Sequence, residues 1–195
     1  MKRLLFQRLV WAALWLTPMI GRAERYLSAA EAQKVCFPKA DKFEGQKLKL
    51  TVEQRKAIEQ KAGVKVRNPE IRYSVAGDGT NILGVLMFDQ VLGKHELIDY
   101  AAAISPEGKV LQVELLEYRE NYGGEIHNAK WRDQFKGKTT RSSLKLNDDI
   151  YNISGATLSC RNVTDGVRRL LATFELVVRP HLLAAAQLPG AAGKP

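Results

Sequence analysis

Between Ile71 and Glu117 the hydrophobic pattern is that of strands, and this stretch does most to limit what the chain can fold into. Ile71-Arg72-Tyr73-Ser74-Val75 alternates apolar and polar residues at period two, the pattern of a half-buried strand. Gly77-Asp78-Gly79-Thr80-Asn81 is a turn, and residues 82–88 follow as a more continuously apolar strand. Residues 96–104 and 109–117 read as two more strands on either side of Ser105-Pro106-Glu107-Gly108, a strong turn sequence. Consecutive strands joined by short turns predict an antiparallel meander, here with one face covered by helices. The expected fold class is α+β: an antiparallel β-meander packed with helices, forming a single domain behind an N-terminal helical extension.

The flanking helices carry local start and stop signals. Ser28-Ala29-Ala30-Glu31 and Thr51-Val52-Glu53-Gln54 are capping-box patterns, and Gly63 suits the end of the second helix. Residues 39–49 are densely charged and are expected to be irregular. After the meander, a short helix over residues 128–135 places Trp131 and Phe135 on one face, and Gly137 ends it. Residues 139–149 are polar and loop-like. A last helix is expected with Ser159 as its N-cap. Val163, Val167, Leu170, Leu171, Phe174 and Val178 share one face of it, and Pro180 stops it. The division expected is therefore a leader over 1–23, a helical extension over 24–67, the main domain over 68–179 and a disordered tail over 180–195.

The leader has the form of a secretory signal: Lys2 and Arg3, an apolar run over residues 9–16, then Gly21-Arg22-Ala23, with cleavage expected after Ala23. That run is shorter than the ~20 residues a membrane helix needs. Of the formal net charge of +9, four units belong to Lys2, Arg3, Arg8 and Arg22, which leaves +5 on the rest. The remaining cations are scattered among acids, so a nucleic-acid partner is not indicated. The mature chain is expected to be periplasmic. An oxidising compartment permits a disulfide between Cys36 and Cys160, and two separate buried thiols are the alternative. His95, His127 and His181 have no metal-ligand spacing, and no metal is expected. No Ser–His–Asp or Cys–His set appears, so no catalytic residues are assigned.

Chemistry concentrates at Ser154-Gly155-Ala156-Thr157. Small residues and a hydroxyl stand just before a helix start, where unpaired N–H groups and the positive dipole end favour a phosphate. Residues 149–171, DIYNISGATLSCRNVTDGVRRLL, resemble the modification motif of exported FMN-binding domains, the family of the periplasmic flavin subunits of Na⁺-pumping NADH:quinone reductases and of Rnf-type complexes. The resemblance runs over about residues 93–178, takes in Phe135-Lys136-Gly137-Lys138, and leaves residues 39–67 unmatched. It departs from the family at Tyr151, where an aspartate is usual; Asp148 and Asp149 lie just upstream.

The resemblance implies FMN joined to Thr157 by a phosphodiester, made by a FAD-dependent flavin transferase. Ser154, Gly155, Ala156 and Ser159 would surround the phosphate, and Arg161 could add charge. Tyr122, Gly123 and Gly124 would approach the ring, Glu120 would order their loop, and Trp131 is either core or ring wall. It implies an electron carrier whose partner is a membrane redox protein or a cytochrome. The alternatives are a flavin-dependent reductase of a small exported substrate and, if Thr157 is unmodified, a non-flavin periplasmic binding module.

Overall fold

The computed structural model describes residues 24–79, 81–120 and 123–185. The leader over 1–23, Tyr122, and residues 186–195 of the expected tail lie outside the described residues. One antiparallel sheet organises the rest, with strand order β1-β6-β5-β4-β3-β2. β1 (Glu24–Arg25) adds two residues beside β6 (Val110–Tyr118). The other strands are β2 (Lys42–Lys49), β3 (Glu70–Asp78), β4 (Asn81–Leu92) and β5 (Leu97–Ile104). β3 to β6 are the expected meander.

Residues 42–49 correct the expectation of irregular chain over 39–49. β2 pairs with β3 from Lys42↔Gly77 to Lys49↔Glu70, so the presumed helical extension contributes the outer strand of the main sheet. Its charge has a reason: a sheet edge studded with Lys and Glu resists pairing with other chains. The two predicted capping boxes form. Ser28 opens α1 (Ala29–Cys36) and Thr51 opens α2 (Val52–Ala62), each with reciprocal side-chain bonds to the third helical residue. Gly63 ends α2 in the left-handed conformation, at φ +63°.

Helices cover both faces of the sheet rather than one. On one face lie Val75, Met87, Ile98, Tyr100, Ala102 and Leu115, packed under α2 and under α4 (Thr157–Thr173). On the other, Ala76, Leu86, Ala101 and Ala103 pack against Ala32, Cys36 and Phe37 at the end of α1. Small side chains on this second face let α1 approach closely. At Gly84 a Cβ would lie 2.8 Å from the Phe37 ring. Cys36 and Cys160 therefore sit in separate cores and are both free and buried, the second of the two alternatives. Burial pushes the Cys36 thiol up to about 12.

All six apolar positions predicted for the last helix are buried. Pro180 does not end it. A π-turn over Phe174–Val178 leads into α5 (Arg179–Ala184), which contains Pro180 and buries Leu182. A proline ring clashes with the carbonyl one turn back in a regular helix, and the wider π-turn supplies the room. None of the helices among the described residues is long and apolar enough to cross a membrane.

Candidate functional site

The strand end of β6, a glycine loop and the start of α4 converge at one place. After β6 the chain passes through Gly123 into a 3₁₀ turn (Gly124–His127), then α3 (Ala129–Arg132) and a second 3₁₀ turn (Asp133–Phe135). This is the short aromatic helix expected over 128–135, broken into pieces. Trp131 is buried and meets Phe135 edge-to-face at 5.2 Å. Its Nε1–H donates to the Tyr151 carbonyl at 2.8 Å, and the Tyr151 amide donates to Gln134 Oε1 at 2.6 Å. Trp131 is thus a core residue that clamps the chain three residues before Ser154.

The polar loop before the clamp is ordered around Asp149. Its carboxylate accepts from the amides of Leu144 and Lys145 at 3.1 and 2.9 Å, and from Lys138 Nζ at 3.0 Å. Burial works to raise its pKa, but these bonds outweigh it and hold the carboxyl below its ordinary value. Ser143 Oγ donates to Asp148 Oδ2 at 2.6 Å. Both acids near the motif are therefore engaged in building the loop. Tyr151 itself is 77% exposed, with its side chain away from the core.

Ser154 and Gly155 form an exposed turn, closed by the Ala156 amide donating to the Ile153 carbonyl at 3.0 Å. Gly155 has φ +86°, and a Cβ there would meet no atom within 4 Å. The turn therefore needs glycine for its backbone and leaves open space beside it. α4 begins at Thr157, with Ala156 as N-cap, three residues before the cap expected at Ser159, and with no side-chain cap among the described residues. Ser159 is consequently not the cap. Its side chain is buried in the first turn, with Oγ 3.3 Å from the Tyr118 hydroxyl. What Ser159 brings to the helix start is its backbone N–H, one of the amides a first turn leaves unpaired.

Gly123, at φ +84°, packs directly on this helix start: a Cβ there would lie 3.2 Å from the Ala156 Cβ and 2.8 Å from the Tyr118 hydroxyl. Gly124 lies near Tyr26, whose ring stacks on His127 at 3.9 Å. Glu120 points elsewhere. Its Oε1 accepts from the amides of His95 and Glu96, bracing the turn between β4 and β5. Arg161 is exposed. Asn152, to which the sequence drew no attention, donates from Nδ2 to Thr157 Oγ1 at 2.9 Å. No local pattern advertises that contact, which depends on the bend of the intervening turn.

A helix start with no side-chain cap among the described residues, a half-exposed threonine and an open turn at Gly155 suit a phosphate-bearing cofactor. Residues 93–172 match the family described as FMN-binding domain. The matched stretch begins in the β4–β5 turn and ends within α4, so it holds the whole convergence just described. Among solved structures, the chain is similar to Shewanella oneidensis NqrC, with a TM-score of 0.52 and 16% identity over 80% of this chain and 90% of that one. At that identity the likeness is one of fold. No curated protein matches the chain.

Proposed function

We propose that this chain is an exported flavoprotein that holds FMN through a phosphodiester on Thr157 and passes electrons between redox partners. The observation that carries the reading is the position of Thr157 Oγ1. It stands at the first residue of a 17-residue helix whose N-terminus has no side-chain cap among the described residues, beside the open turn at Gly155. The phosphate would lie against the amides of the first turn, and Ser154, exposed beside them, could add a hydroxyl donor. Gly123 and Gly124 would let the backbone approach the ring, with Tyr122 beside them in sequence. Bound FMN would supply reversible one- and two-electron transfer, and the protein's part is orientation and tuning.

Maturation would need a FAD-dependent flavin transferase in the compartment to which the leader directs the chain. The electron partner would be a membrane redox protein or a cytochrome. The experiment is intact mass of the full-length gene product from a transferase-competent host, beside its Thr157→Ala variant. Wild type should gain the mass of FMN less one water, and the variant should not. An unmodified wild type, or an equally modified variant, sinks the proposal. Fractionation of the same culture tests export.

A further inference from the structure

The hydroxyl of Thr157 is held from one side by Asn152, and that amide is placed with care. Tyr151, the residue before it, is fixed at both its carbonyl and its amide by Trp131 and Gln134. Ile150 is fully buried, and the turn is closed beyond it by the Ala156–Ile153 bond. Asn152 Nδ2 then donates to Thr157 Oγ1 at 2.9 Å. The other end of the amide, Oδ1, is buried and has no hydrogen-bond partner among the described residues. Buried polar atoms are seldom left unpaired, so this one needs an explanation.

We infer that Asn152 is a positioning residue for attachment of FMN to Thr157, an inference that rests on the reading above. A threonine oxygen offers two lone pairs and one proton. By donating into one lone pair, Asn152 turns the other lone pair and the proton away from itself. In the transfer, the Oγ1–phosphorus bond forms and the bond from that phosphorus to the AMP half of FAD breaks. The hydroxyl proton leaves to a base of the transferase, and AMP departs. Afterwards Oγ1 is an ester oxygen that can only accept, and the Nδ2 donor still suits it. An aspartate of the same shape does not. It can accept from the free hydroxyl, but it offers the ester oxygen no donor and repels the phosphate charge.

The test is FMN incorporation into the full-length protein by a purified flavin transferase with FAD, followed by mass for wild type, Asn152→Asp and Asn152→Ala. Folded fraction is read in parallel by circular dichroism of the unmodified proteins. For Asn152→Asp we expect a maximal rate at least roughly tenfold lower, with the KM for the acceptor protein within about twofold of wild type. Asn152→Ala should also slow. A packing role alone predicts a normal rate for the isosteric Asn152→Asp and a loss in Asn152→Ala that tracks lost folded protein, and that result would overturn the inference. If wild type takes up no FMN while a control acceptor does, the Thr157 reading fails and takes this one with it.

Discussion

Gly123 faces Ala156 across the site, where a Cβ on the glycine would fall 3.2 Å from the alanine methyl. The glycine has no room for a side chain between the Ala156 methyl and the Tyr118 hydroxyl. This contact sets how closely the loop after β6 sits on the start of α4. Gly123→Ala would force a Cβ to within 2.8 Å of the Tyr118 oxygen at a backbone angle that favours glycine. The expected cost is about 1–3 kcal/mol. Urea unfolding should show it, and FMN content should fall together with it. A variant as stable as wild type would mean the loop shifts freely.

The indole of Trp131 holds the Tyr151 carbonyl. Trp131→Phe keeps an aromatic ring and loses the donor, at about 1–2 kcal/mol. Hydrogen exchange should quicken over residues 150–155 more than in the central strands. Uniform quickening would show a general loss of packing instead.

Asp149 should make stability fall in acid. Its folded-state pKa is depressed, so folding favours the ionised form. That contribution is complete above the unfolded-state value, near about 4, and is lost as pH falls through the lower folded value. Asp149→Asn should be less stable than wild type at pH 7, with the gap closing as the wild-type carboxylate is protonated. A gap that stays constant down to strongly acidic pH would show that the charge is not what matters.

Under α4, Gly166 gives Tyr100 its space: a Cβ there would clash with the Tyr100 hydroxyl. That hydroxyl donates to Asp89 Oδ2 at 2.7 Å, and Arg169 donates to the same oxygen. Gly166→Ala should be clearly destabilising through overpacking. Tyr100→Phe removes the closest of the atoms in the way, relieving part of the clash while the Tyr100 ring carbon and Val91 remain at 2.9 and 3.0 Å, and leaves the Asp89–Arg169 pair. The double variant should therefore be more stable than the two single losses predict, with a coupling of about 0.5–3 kcal/mol by thermal unfolding. Simple additivity would refute the steric account.

How much of this was legible follows from how local each cause is. The capping boxes at Ser28 and Thr51 are complete within four residues, and both helices begin where those residues say. The meander is legible because its turns and alternation are local too. β2 was hidden because an edge strand with one partner can be as charged as a loop. The place of Thr157 beside a helix start was readable from its motif. The exact helix start was not, since Ser159 resembles a cap and is instead drawn inward by Tyr118, a contact across 41 residues. Pro180 misled because the π-turn ahead of it has no strong sequence signature.

The sheet also acts as a partition. Ala32, Ala101 and Leu86 share no core with Val163, Cys160 or Ala156. Energetic effects on opposite sides should be close to independent, because residues without shared partners rarely couple. The half of the molecule beneath α1 can thus change its packing, and with it the overall stability, while the helix start that presents Thr157 keeps its geometry. Evolution or an engineer could adjust durability on one side and chemistry on the other.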